Sequence, residues 1–89
     1  MSTVTASHIL VDKEDQAFDL LAKISAGSKF EDLAKNYSKC PSGKRGGSLG
    51  TFGKGQMVPE FETAAFALNP GEVSDPVQTQ FGFHLIKRD

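Results

Sequence analysis

The chain has 89 residues, of which 24% are charged and 38% apolar, and its formal net charge is −1. That length suits one domain (residues 1–89), and the composition excludes disordered and fibrous classes. A single cysteine, Cys40, excludes an internal disulfide, a four-cysteine zinc site and a two-cysteine, two-histidine zinc site.

Taken in chain order, Thr3 to Val11 is rich in β-branched residues and apolar on both sides. Val4, Ala6, His8 and Leu10 share one face and Ile9 and Val11 the other, the pattern of a central strand covered on both faces. Asp12 is placed to cap a helix whose first turn holds Glu14 and Asp15. Ala17, Phe18, Leu20, Leu21 and Ile24 form its stripe, and Gly27 supplies a left-handed stop. Ser28 and Glu31 have capping-box spacing. Phe30, Leu33, Ala34 and Tyr37 then recur at helical intervals up to Cys40-Pro41, where proline disfavours further helix.

Ser42 to Gly47 reads as loop with room for one helical turn, and Leu49 to Phe52 as a short strand. Pro59 suits a first helical position, followed by Glu60 and Glu62 and a stripe of Phe61, Ala65 and Leu68 joined by Ala64. Asn69-Pro70-Gly71-Glu72 has type II turn chemistry. Val77–Thr79 and Phe83–Lys87 read as strands around a turn at Gln80-Phe81-Gly82. Strand, two or three helices, short strand, helix and two strands make an α+β domain with a small, mostly antiparallel sheet.

No basic segment followed by an apolar stretch opens the chain, and no apolar run is long enough to span a membrane. With one free thiol, this favours a cytoplasmic protein. Charge is unevenly distributed. Leu33 to Pro59 contains Lys35, Lys39, Lys44, Arg45 and Lys54 and no acid. It is expected to be either a solvated loop or a basic rim beside a cleft. The balanced net charge argues against a general nucleic-acid binder.

His8 and His84 each lie inside an apolar strand, and Cys40 precedes six glycines within thirteen residues. A Cys/His hydrolase lacks a local signature, and Cys40-Pro41 is not expected to open a helix that would activate the thiol. A metal site lacks ligand spacing, and a phosphate loop fails because Gly55 follows Gly53-Lys54 where Ser or Thr is required. The remaining chemistry needs neither nucleophile nor cofactor. Rotation about an Xaa–Pro bond meets a barrier of about 18–20 kcal/mol from amide resonance. An apolar socket that excludes water and favours the twisted imide lowers it. Leu49, Met57, Phe61 and Phe81 are wall residues of that kind, and His8, Cys40, Thr79 and His84 are a matching polar set.

Four stretches then carry a family resemblance: His8-Ile9-Leu10-Val11, Cys40 to Gly50, Gly55 to Phe61, and Thr79 to Ile86. In order and spacing they resemble the parvulin-type peptidyl-prolyl cis–trans isomerases, above all the small single-domain prokaryotic ones. The resemblance implies an FKBP-like fold of four strands and about four helices, in the order βαααβαββ, and activity without cofactor or metal. It implies His8 and His84 as paired histidines behind the site and Cys40 as the polar residue near the imide. Leu49, Met57 and Phe61 become the proline socket, Gln56 and Thr79 polar lining, and Phe81 a further cleft residue. Phe52 lies near the cleft without an assigned role. The loop Asp12-Lys13-Glu14-Asp15 is short and acidic, unlike the basic loop of the phosphate-directed branch. A phosphorylated residue before proline is therefore disfavoured, and an uncharged or apolar one expected.

The expected substrates are proline-containing peptides and unfolded or folding protein segments, turned over by a monomer. Two other readings remain. One is an inactive parvulin-like module that holds peptides, and the other is a contact with anionic or membrane surfaces through the basic Leu33–Pro59 segment.

Overall fold

The computed structural model describes residues 3–89. Strand β1 (Thr3–Val11) lies inside a four-stranded sheet with β2 (Ser48–Gly53), β3 (Val77–Thr79) and β4 (Gly82–Arg88). The order is β2-β1-β4-β3, and every pairing is antiparallel. Helices α1 (Glu14–Ser25) and α2 (Phe30–Tyr37) cover one face, and α3 (Pro59–Ala67) covers the other. A 3₁₀ helix at Pro41–Arg45 takes the place of the fourth helix. This is the α+β, FKBP-like arrangement expected from the sequence.

The two-sided pattern of β1 builds two cores. Ile9 and Val11 pack with Ala17 and Leu20 of α1, Phe30, Leu33 and Ala34 of α2, and Leu85 of β4. Val4 and Ala6 pack with Phe52, Phe61, Ala65 and Ile86. Ile9, Leu85 and Ile86 are fully buried, each worth roughly 1.5–3 kcal/mol of transfer free energy. The sheet is therefore a middle layer, and His8 and Leu10 continue the α3 side of β1 beyond that cover.

Several local expectations change. The N-cap of α1 is Lys13, not Asp12, and its N–H is accepted by Gln16 Oε1 at 3.2 Å. Asp12 instead pairs with Lys39. Ser28 does not cap α2, which starts after Lys29. Its N–H closes α1 by bonding Lys23 O at 3.0 Å, while Gly27 N–H bonds Ile24 O at 3.0 Å. That is a Schellman closure around left-handed Gly27, so the residues joining the helices serve the first helix, not the second. α2 stops at Tyr37, before Cys40-Pro41, because Lys39 N–H turns to Leu10 O at 2.8 Å. Phe18 is 50% exposed; it lies about 100° around the helix from Ala17, outside the arc facing the sheet. Tyr37, at the end of α2, is also half exposed, with Lys23 Nζ 5.9 Å from its ring centroid.

The turn at Asn69–Glu72 forms as expected, with Gly71 at φ +88° and Glu72 N–H bonded to Asn69 O at 3.0 Å. Beyond it the chain pairs with β4 earlier than the sequence pattern indicates. Val73 bridges Lys87, and Ser74 N–H reaches Ile86 O at 2.7 Å.

Candidate active site

His8 on β1 and His84 on β4 lie on the same face of neighbouring strands. His8 is opposite Ile86 and Leu10 is opposite His84, so the two imidazoles are diagonal neighbours. Their Nδ1 atoms are 2.9 Å apart and their planes differ by 17°. With centroids 5.1 Å apart, the rings meet edge to edge through one hydrogen bond. The outer nitrogens are also engaged. His84 Nε2 lies 2.8 Å from Thr79 Oγ1, and His8 Nε2 lies 3.2 Å from Ser42 Oγ.

One proton per link satisfies this four-residue chain in either direction. Thr79 donates to His84, His84 to His8 and His8 to Ser42, or every donor and acceptor is reversed. Thr79 Oγ1 also accepts the Phe81 N–H at 3.2 Å, which leaves both directions open. Burial, with the neighbouring His84 as the smaller cause, pushes His8 from 6.5 down to about 4. Burial also lowers His84. Both rings are therefore neutral at physiological pH.

Phe61 of α3 stands nearly perpendicular to both imidazoles, at 79° and 85° with centroids 5.5 and 5.3 Å away. Phe52 backs it at 6.1 Å, which makes Phe52 a buttress in the core. Above these rings opens a pocket of about 460 Å³. Of the residues singled out from the sequence, His8, Cys40, Leu49, Gln56, Met57, Phe61, Phe81 and His84 line it. Thr79 does not; it stands behind His84 as a hydrogen-bond partner. Phe81 is 59% exposed at the mouth, and Cys40 is partly buried.

The loop after α2 places these groups by backbone contacts. His8 N–H bonds Gly47 O at 2.9 Å, and a Cβ on Gly47 would stand 2.3 Å from His8 O. With φ at +84° as well, only glycine fits. Next to it, Ser48 pairs with Ser7 and Gly50 with Ala6, leaving Leu49 unpaired in a bulge beside the pocket. Gln56 is held by its Oε1 accepting Gly53 N–H at 2.6 Å. The sequence expectation about Cys40 needs correction here, since Cys40 stands at the N-cap of the 3₁₀ helix that Pro41 opens.

Several residues were not assigned a site role from the sequence. Ser42 is 4% exposed and anchors the histidine pair. Its signal was a serine embedded in the glycine-rich loop, which alone does not distinguish a buried partner from a solvated one. Leu10, Lys39, Pro41 and Val58 complete the lining. Leu10 follows His8 by two on β1, so strand periodicity could have found it.

Residues 7–89 match the family model described as Rotamase, the PPIC-type PPIase domain. The foldase protein PrsA of Geobacillus kaustophilus is 54% identical over 85 residues, covering 94% of this chain and 30% of that protein. The chain therefore spans less than a third of that relative's length. The crystal structure of PrsA from Bacillus anthracis superposes with a TM-score of 0.95 at 48% identity, over 97% of this chain and 40% of that one. The parvulin NmPin of Nitrosopumilus maritimus has a TM-score of 0.90 at 47% identity, over 99% of this chain and 96% of that one. With the fold, the histidine pair and the pocket in register with that family's sequence pattern, this chain belongs to the PPIC-type peptidyl-prolyl isomerases, the parvulins.

Proposed function

We propose that the chain catalyses cis–trans rotation of Xaa–Pro bonds in peptides and in unfolded or folding protein segments, non-covalently and without a phosphate requirement. One observation carries the reading: a neutral, doubly anchored histidine pair forms the base of an apolar pocket walled by Leu49, Met57 and Phe61. The proline ring enters between these walls and the imide leaves water. Loss of solvation costs the planar, resonance-polarised amide more than the twisted one, so the barrier of about 18–20 kcal/mol falls.

The polar residues tune that environment. His8 and His84, held neutral, put no buried charge beside the imide. Thr79 orients His84 from behind, and Cys40 and Gln56 present polar atoms at the pocket wall. Near the rim, Asp12 engages Lys39, and Glu14 and Asp15 follow in the first turn of α1. A dianionic phosphate would be repelled there.

The test is exchange NMR on an Ala-Leu-Pro-Phe peptide. Enzyme-dependent acceleration supports the proposal, while binding without acceleration would make the chain a peptide-holding module. A monomer in a reducing compartment is part of the same reading, supported by the free Cys40. Among the described residues, no helix is long and apolar enough to cross a membrane. Sedimentation and cell fractionation test these two points.

A further inference from the structure

A second hollow of about 320 Å³ adjoins the prolyl pocket and shares Lys39, Cys40 and Pro41 with it as a common wall. Its remaining lining is Lys35, Ser38, Gly43 and Lys44, so it contains three lysines and no acid. The end of α2 supplies Lys35, and the 3₁₀ helix supplies Lys44. Among the described residues the ion pair at this place is Lys39 with Asp12; Lys35 and Lys44 make no salt bridge, with Glu31 and Asp32 of α2 one turn from Lys35. Gly43 packs closely against α2, since a Cβ there would meet Ala34 O at 2.7 Å.

We propose that this hollow is a specificity subsite for a carboxylate of the substrate, the side chain of a glutamate or aspartate directly flanking the isomerised proline. The inference rests on the isomerase reading of the neighbouring pocket. Because the two hollows share a wall, a chain with its proline seated against Phe61 and Met57 passes Cys40-Pro41 within reach of the lysines. A lysine ammonium is a compact point charge, suited to one carboxylate without fixed bidentate geometry. Lys39, already paired, forms the rim and not the main attraction. An uncharged neighbour, expected from the acidic Asp12–Asp15 segment, is the opposing outcome that the Glu and Gln peptides test.

The experiment compares peptides differing only by Glu against Gln, placed before the proline in one pair and after it in another. Dissociation constants come from amide-shift titration and kcat/KM from exchange NMR. Glu is expected to bind about five-fold tighter than Gln at one of the two positions in low salt, with the preference shrinking in 0.5 M salt. The Lys35→Gln/Lys44→Gln double variant should bring that ratio to about one, while Lys29→Gln, on the far end of α2, should leave it unchanged. A ratio of one at both positions in the unmodified protein overturns the subsite, as does a preference that survives the double variant. Tight binding of the Glu peptide without acceleration of either peptide would refute the isomerase reading and keep the subsite. Failure of every peptide to bind refutes both.

Discussion

At the scale of single residues, the site separates groups that make the environment from groups that only touch it. Met57 is partly buried and lines the pocket without belonging to the histidine chain. Met57→Ala should therefore lower kcat/KM about ten-fold or more by admitting water, with little change in a urea melt; an unchanged kcat/KM would remove Met57 from the socket. Phe61 is 3% exposed and packs on both imidazoles and Phe52, so Phe61→Ala should cost about 3–5 kcal/mol of stability as well as activity. Cys40 lies at the pocket wall with no base beside it: the histidine nitrogens are taken by each other, Ser42 and Thr79. Cys40→Ser should keep a measurable fraction of kcat/KM. A folded but inactive serine variant would contradict the non-covalent mechanism, because loss of an obligatory nucleophile is nearly total.

At the scale of elements, the segment from Ser38 to Leu49 converts chain composition into site geometry. Ser38 Oγ accepts Leu10 N–H at 3.1 Å, Lys39 N–H bonds Leu10 O, and Gly47 O accepts His8 N–H. These bonds fasten the loop along β1 beside the very strand that carries His8. Gly47→Ala should destabilise the protein by about 2 kcal/mol or more, since it combines a left-handed φ with a Cβ 2.3 Å from His8 O. Gly55→Ala is the comparison. It has the same sign of φ but open space around its Cβ, so it should cost about 1 kcal/mol. Equal costs in paired urea melts would show that the close approach to His8 is not what Gly47 provides. Two of the boundaries follow hydrogen bonds made outside α2. Ser28 and Ser38 both look like local punctuation, but each is used by a neighbour, the first by the end of α1 and the second by β1. Bonds to the preceding helix, or to a strand distant in sequence, override local capping preference.

At the scale of the whole molecule, the layered fold buries two titratable groups between a sheet and a helix. Unfolded, His8 takes up a proton near pH 6.5; folded, it does so only near 4. Between those values the unfolded state binds more protons, so stability present above pH 6.5 is lost as pH falls toward 4. For His8 the loss is about 3 kcal/mol by pH 4, and His84 acts in the same direction. Urea melts at pH 7.5 and 4.5 measure the loss, and ring-proton NMR follows each histidine. Activity should show no loss at the ordinary imidazole pKa of 6.5, because both histidines titrate below it. An imidazole at His8 titrating near 6.5 in the native protein would contradict the buried, neutral pair.

The amino-acid sequence by itself determined the elements and most of their buried faces, Phe18 and Tyr37 being the exceptions. Alternation in Thr3–Val11, helical spacing in Phe30–Tyr37 and the proline–glycine turn at 69–72 are local signals, and the structure carries each of them. It also nominated the site, because His8 and His84 are imidazoles on strands whose buried residues are mostly apolar. What it could not determine was partnership. That His8 meets His84 depends on β1 and β4 lying side by side with Leu10 opposite His84, a register set by packing of both cores. That Ser42 closes the chain, that Thr79 stands behind the pocket and that Leu49 is bulged beside it follow from close backbone approaches tens of residues apart in sequence. Local chemistry selects strand, helix and turn. Only burial of both sheet faces decides which distant polar groups must satisfy one another, and here that requirement made the site.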